Sequence, residues 1–514
     1  MLDALLGKRR EHRRRQALAD LRRREQQLRP GYKVWGYANT FAKGFVVTDG
    51  PTPFAPREGW DHLTVGRWHV RLDPVLERQA ARSAVAEVLV LGQAFDDAGP
   101  KRRDRVAERI LQALSRQTGH AAQTDALDES IAWVSGRYVV LVARGERLDV
   151  YGDPLASRSA FFHRGTGGVA IASHTEILSQ LAGGLGSSRK RWVAAHPDYE
   201  DPAGRWLPGL ITGHDDVGQV FANARLSIRG TDARHERFWP RADRVELPAR
   251  EAAEAFRDEL GQQVRNWISV ADVTVLTLTA GRDSRAVLQA GLADLREADA
   301  VALTYHPLHR PEKSTRTDLL TADRIAVTAG LRHLTLDVPQ LSPTSQFAKL
   351  YRTTFPTWQR YANLANALYL AAPAKAATIF GVGGAIITGM YRTTDDRDLR
   401  PELLASKFTS SAFQHDPALI AELGRWMEFC DFSVEALRGY DFYDLFHWEH
   451  RMSKWGAAGY SEYDLATTPA PVLSSRRLLV AALSLPKQQR VDALVYRFIA
   501  EGDAALSEPE QAEA

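Results

Sequence analysis

Apolar positions along the chain fall into stretches of different rhythm. Between residues 31 and 245 they form short β-rich runs broken by turn residues: EVLVLGQAFD at 87–96, WVSGRYVVLVARGERLDVYGDP at 133–154 and GGVAIASHTEIL at 167–178. β-Branched and aromatic side chains suit a pleated surface, and Gly, Asp and Ser punctuate it. The runs RYVVLVA and RLDVYGD, separated by Arg144, Gly145 and Glu146, predict a β-hairpin. A helical pattern over 102–116 lies between these runs, so this region reads as α+β.

RFWP at 237–240 and RVELP at 244–248 mark a connection, after which AREAAEAFRDELGQQVRNWI has the spacing of an amphipathic helix. A boundary near residue 245 follows. Beyond it VTVLTLT, AVALTY and ATIFGVG alternate with helical patterns, which predicts a parallel sheet. Past Tyr391 the pattern is mostly helical and rich in aromatics, and the final polar stretch is expected to fray. At the other end, Leu18, Leu21 and Leu28 stand at roughly helical spacing before Pro30. The expected organisation is a basic amphipathic helix at 1–30, one domain over 31–245, a second over 246–505 and a frayed tail at 506–514. No internal repeat of fixed period occurs.

The length of 514 residues fits this division, since a single hydrophobic core stops growing well below it. Charge sharpens it. The first thirty residues hold ten Lys or Arg against four acids, a net +6 in a chain whose total is +3, so the remainder is slightly acidic. The helix is expected to lie on its own protein or a partner, self-association included, with nucleic acid or an anionic membrane surface as the alternative. No base-reading motif accompanies the charge, so no specific nucleic acid is expected. The sole cysteine, Cys430, excludes an internal disulfide framework and cysteine-held zinc or iron–sulfur clusters. That fits a reducing cytoplasm, as does the lack of a signal-like apolar core behind the N-terminal charges. The uncharged segment 376–391 is shorter than a bilayer span and holds four glycines. It reads as a buried strand running into a tight loop, and no transmembrane segment is expected.

The candidate chemistry lies in LTLTAGRDSRAVL at 276–288. A strand that passes through small residues into a helix N-terminus aims backbone N–H groups and the positive end of the helix dipole at one point. Phosphate is the natural occupant. Ala280 and Gly281 permit close approach, Thr279 and Ser284 can donate hydroxyl hydrogen bonds, and Arg282 and Arg285 add positive charge. Asp283 would repel bare phosphate and is accommodated if magnesium sits between carboxylate and phosphates. No Gly-Lys-Ser or Gly-Lys-Thr follows, so this is not a Walker loop. The same residues could equally form a capped strand-to-helix turn without a ligand.

LTAGRDSRAVL resembles the pyrophosphate-binding loop of the asparagine synthetase family, usually Ser-Gly-Gly-x-Asp-Ser, with Thr279 for its Ser and Ala280 for its first Gly. TDLLTADRIAVTAGLRHLTLDV at 317–338 is similar to that family's Asp and Ala four residues apart. IFGVGGAIITGMYR at 379–392 resembles its second Gly-rich loop, and PVLSSRRLLVAALSLPKQQRVDALVYRFI resembles its C-terminal helical segment. VSGRYVVLV, LDVYGDPLASRSAFFH, GGVAIASHTEIL and the stretch from LPGLITG to RFWP look like its N-terminal-nucleophile amidotransferase half. The resemblance implies a degenerate αββα sandwich followed by a parallel-sheet α/β ATP-pyrophosphatase domain. It further implies ATP and Mg2+ at Leu276, Thr279, Ala280, Gly281, Ser284, Gly381, Gly383 and Gly384, with Asp283 as metal ligand and Asp283, Arg282 and Arg285 as catalytic residues.

Departures from the family accompany the match. Its glutaminases expose a cysteine as first residue, whereas Leu2 follows Met1 here, and Leu91 stands where the oxyanion-binding Asn is expected if Gly92 matches its neighbour. In the second loop Ala385 stands where an acidic residue usually helps hold magnesium. Two function classes follow. One is an AMP-forming ligase that adenylates a small-molecule or peptide carboxylate and passes it to ammonia or a substrate amine, as in the peptide-cyclising and β-lactam-forming branches. The other is a homologue that binds a nucleotide or a partner without turnover. GVGGAIITG lacks the spacing of a dinucleotide fingerprint. His447, Glu449 and His450 have no third ligand at useful spacing, and the resemblance directs attention to Arg451 beside them.

Overall fold

Strand alternation with both faces buried organises the N-terminal half. In β5 (Glu87–Phe95), Leu89 and Leu91 point to one side while Val88 and Val90 point to the other, and all four are buried. The same holds in β6 (Ser135–Arg144), with Val139 and Leu141 opposed to Tyr138, Val140 and Val142. A strand in such a position must be a covered interior strand, because each of its faces needs an apolar partner layer.

The computed structural model describes residues 40–96, 105–199, 206–307, 313–355, 361–371, 376–391 and 398–491. The expected basic helix at 1–30 and the tail at 506–514 lie outside the described residues. The other strands are β1 (Phe45–Asp49), β2 (Asp61–Val65), β3 (Trp68–Leu72), β4 (Arg78–Arg82), β7 (Arg147–Gly152), β8 (Phe161–Gly165), β9 (Gly168–Ala172), β10 (Val217–Gln219), β11 (Ala224–Arg229) and β12 (Asp232–Arg237). Two six-stranded sheets result, in the orders β10-β8-β9-β1-β3-β2 and β12-β11-β7-β6-β5-β4. Their facing residues, among them Val47, Trp68, Leu89, Leu141 and Ile171, form one core layer. Helix Thr175–Leu181 covers the outer face of the first sheet, and helices Val106–Ser115 and His120–Ala132 cover that of the second. The expected hairpin is β6 and β7, where Arg144 pairs with Arg147 and Gly145 takes φ +57° in the turn between them.

The C-terminal half contains a wholly parallel five-stranded sheet. Its strands are β13 (Thr274–Thr277), β14 (Val301–His306), β15 (Arg332–Asp337), β16 (Ala377–Phe380) and β17 (Thr468–Pro471), in the order β15-β14-β13-β16-β17. β14 and β15 are added on one side of β13, and the chain then crosses to its other side for β16. That reversal lies between β13 and β16. In open parallel sheets such a switch point leaves a crevice at the carboxyl ends of the two strands. β17, with Pro469 and Pro471, falls in a stretch whose pattern reads as helical. It is an edge strand, where a missing N–H is tolerated.

The boundary at residue 245 does not separate two cores. Phe256, Leu260, Val264 and Trp267 of helix Ala249–Ile268 belong to the same cluster as Val88 and Val140, and Phe95 meets Trp267 edge-on at 5.2 Å. Polar contacts repeat the junction. Arg237 makes a bidentate pair with Glu449, both bonds 2.7 Å. Arg137 does so with Asp464 at 2.8 and 2.7 Å. Much of the C-terminal side of this junction is a π-helical segment, His447–Gly456.

Candidate functional site

The first turn grows directly out of β13. Leu276 and Thr277 are buried in the sheet, Thr279 and Ala280 are half-buried, Gly281 and Arg282 are exposed, and helix Arg282–Ala290 then begins. Gly281 is its N-cap residue and no side chain caps it. The hydroxyls fold inward: Thr279 N–H donates to Ser284 Oγ at 3.1 Å, Gly281 N–H donates to Thr279 Oγ1 at 3.0 Å, and the two side-chain oxygens lie 3.0 Å apart. Arg282 stands on the solvent side of the turn, whereas Arg285 is buried. Leu276 contributes its side chain to the hydrophobic core.

Parallel pairing of β13 with β16 brings the second glycine-rich turn beside the first. A Cβ on Gly381 would stand 3.4 Å from the backbone of Asp283 and Ser284. At Gly384 it would collide with the Asp283 carboxylate, 2.1 to 2.3 Å from its atoms. Only a residue without a side chain lets Asp283 lie there. Gly383 takes φ +116°, a conformation that favours glycine and turns the chain into the short helix Gly384–Ile387. The proposed phosphate-turn residues and the second-turn glycines are thus neighbours at the switch point.

Asp318 was not singled out by sequence as a site residue. Its carboxylate accepts the Ala280 N–H with one oxygen and contacts His306 Nε2 at 2.7 Å with the other. The signal was available in TDLLTADRIAVTAG, but only the adjacency of β13 and β14 carries Asp318 to the turn. Three amides of the turn, those of Thr279, Ala280 and Gly281, therefore have acceptors within the protein. Among the described residues no cluster of three or more His, Cys, Asp or Glu could hold a metal ion.

The N-terminal half shows where its polar groups went. Leu91 is buried between the two antiparallel sheets, and Gly92, at φ +108°, lies against Arg137 and Arg158. Leu2 is outside the described residues. Leading into β1, the half-buried Lys43 donates from Nζ to Thr467 O at 2.8 Å and Thr468 Oγ1 at 3.0 Å, with Asp464 at 3.6 Å. Burial pulls the Lys43 ammonium down to about 8, opposed by Asp464. Burial acts to raise Asp464, yet Arg137, Lys43 and Arg158 together hold it below the usual carboxylate range. His450 accepts the Gly209 N–H at 2.8 Å, Glu449 is occupied by Arg237, and Arg451 lies between the rings of Trp206 and Trp455. Burial pushes the Cys430 thiol well up.

No protein-family profile matches the chain, and no curated protein matches it in sequence. Among solved structures it overlaps the allosteric regulatory enzyme of purine biosynthesis at 12% identity and TM-score 0.25, over 62% of this chain and 83% of that one. It overlaps glutamine phosphoribosylpyrophosphate amidotransferase from B. subtilis, complexed with ADP and GMP, at 12% identity and TM-score 0.22, over 70% of this chain and 73% of that one. Overlaps of this size leave family and activity unassigned. No described helix is long and apolar enough to cross a membrane.

Proposed function

We propose that the switch point of the parallel sheet binds ATP as its magnesium complex and that the protein is an AMP-forming carbon–nitrogen ligase. The observation that carries this reading is the lodging of Asp283 against Gly384, which gathers two glycine-containing turns at the carboxyl ends of adjacent parallel strands. Thr279, Gly281 and Ser284 are the candidates for pyrophosphate oxygens, with the first turn of helix Arg282–Ala290 supplying its dipole. A lone carboxylate suits magnesium when phosphate oxygens complete its shell, so Asp283 fits the ion as part of a metal–nucleotide complex. Bound there, the ion would neutralise phosphate charge. In the proposed reaction a substrate carboxylate oxygen bonds to the α-phosphorus as pyrophosphate leaves, and an amine then bonds to the acyl carbon as AMP leaves. Cytoplasmic location and a partner for the basic N-terminal segment belong to the same reading.

One observation favours a second reading, a homologue that binds without turnover. Asp318 and the Thr279 and Ser284 hydroxyls already satisfy three amides of the turn, and Ala385 offers no second carboxylate. Pyrophosphate exchange into ATP, with pools of small and peptide carboxylates, separates the two. Exchange in the wild type that disappears in Asp283→Asn supports the ligase. ATP binding without exchange supports the binder, ADP formation overturns the AMP-forming reaction, and absence of ATP binding removes the site.

A further inference from the structure

The buried arginines Arg137, Arg225 and Arg490 each end on a carboxylate, that of Asp464, Asp128 and Asp444 respectively. Arg451, in the π-helical segment and only 6% exposed, does not. Among the described residues no hydrogen bond and no ion pair reaches its guanidinium. Its companions are the rings of Trp206 and Trp455, whose centroids lie 5.4 and 5.0 Å from its central carbon. Indole faces attract the positive charge, but they supply no acceptor in the plane of the guanidinium. An arginine keeps its charge in proteins and carries five N–H donors, and here all five are unspent.

These donors are also within reach. No nitrogen of Arg451 is sealed from solvent, in contrast to Nε1 of the neighbouring Trp206. The small exposed part of this side chain therefore includes its hydrogen-bonding edge.

The acids that could have neutralised Arg451 are spent elsewhere. Glu449, two residues before it, is held by Arg237, and Glu422 is held by Arg189 and Arg425. Glu176 and Glu462 line a cavity together with His174, Trp206 and Lys454, but Arg451 is not part of its lining. The two imidazoles of the same segment add no charge. Burial pulls His447 down to about 3 and His450 well below its ordinary value, and the positive charge of Arg451 pushes both further in that direction. A mostly buried guanidinium beside neutral rings, with no counter-charge, is costly to maintain unless an anion completes it.

We propose that Arg451 is the anchor of a ligand-binding site and pairs with one carboxylate group of that ligand through its N–H edge. A single fixed charge matches a monoanion, and a carboxylate presents two coplanar oxygens at the spacing of the guanidinium fork. Arg451 lies outside both glycine-containing turns, so the site is defined, and is testable, without nucleotide.

Acetate is the probe, titrated into the full chain carrying isotope labels at arginine and tryptophan nitrogens, with acetamide as its neutral isostere and sodium chloride at equal ionic strength as the control for screening. The Arg451 Nε–H resonance, identified by its loss in Arg451→Lys, is expected to move saturably with half-saturation below about 10 mM acetate and to respond to acetamide at least about tenfold more weakly. The Trp455 indole N–H, identified by its loss in Trp455→Phe, should follow the same curve. In Arg451→Gln, with folding checked by circular dichroism, the Trp455 response should weaken about tenfold or more. Arg451→Lys keeps the charge without the fork and should weaken it several-fold. Inorganic phosphate should bind no more tightly than acetate. The proposal is overturned by an Arg451 resonance that does not saturate, by chloride or acetamide matching acetate, by phosphate binding more tightly, or by an unchanged Trp455 response in folded Arg451→Gln.

Discussion

The turn at the head of β13 and the junction around Asp464 are both rich in charged and hydroxyl side chains, but they use them in opposite ways. At the junction Arg137, Arg158 and Asp464 are buried and face one another across the two halves, with Lys43 beside them. Their charges are consumed in holding the molecule together. At the turn, Gly281 and Arg282 face solvent and the helix N-terminus has no side-chain cap. Its internal bonds run to hydroxyls and to the half-buried carboxylate of Asp318, which is exchangeable in a way that a buried ion pair is not. Polar residues mark chemistry where their partners can be displaced and mark assembly where they cannot.

The strongest way to break this contrast is to unpair the junction. Arg237→Ala leaves the Glu449 carboxylate buried beside Asn223 without its guanidinium. Removing one partner of a buried pair typically costs about 3–5 kcal/mol, so a fall of that order is expected in urea denaturation monitored by tryptophan fluorescence. A change below about 1 kcal/mol, the scale of exposed pairs, would mean that the junction charges are not structural.

Acid should next reveal how much of the interior rests on neutral imidazoles. Burial pulls His174 down to about 4 and His235 and His447 to about 3. Below pH 6.5 the unfolded chain takes up protons on these rings and the folded chain does not, so stability present above 6.5 is lost as pH falls toward 4. Each ring contributes about 1.4 kcal/mol per pH unit in that window. His235→Gln should flatten the measured slope of unfolding free energy against pH by one proton. An unchanged slope would count against a neutral His235 ring.

Smaller effects belong to the turn. Gly384→Ala places a methyl where the Asp283 carboxylate lies, and overpacking of this kind costs about 1–3 kcal/mol. Stability should fall by that amount, and ATP affinity should fall more than tenfold if the two turns share a ligand. Affinity unchanged would separate them. Arg282→Ala is the mildest. Exposed as it is, it should alter stability by less than about 0.5 kcal/mol and weaken binding of tripolyphosphate several-fold at low salt, an effect that shrinks as salt is raised.

Much of this was legible in the linear pattern. β-Rich apolar runs bounded by turn residues located β5, β6 and β7, and Arg144, Gly145 and Glu146 marked the hairpin turn. The alternation of β-like and helical runs after residue 249 announced a parallel sheet, and the glycines of GVGG announced a turn after β16. These properties depend on residues within a few positions of one another, so propensity and periodicity report them. Partnership across the chain does not work that way. Nothing local tells β16 to cross to the far side of β13, yet that choice sets Gly384 against Asp283 and creates the switch point. The edge position of β17 admits Pro469 and Pro471, which its sequence alone argues against. The tertiary fold likewise decides that Asp318 reaches Ala280, that Lys43 meets Asp464, and that His174, Trp206 and Lys454 line one cavity. Local pattern specifies that a strand is apolar; only the packing of whole layers specifies what each of its faces, and every charge at its rim, will meet.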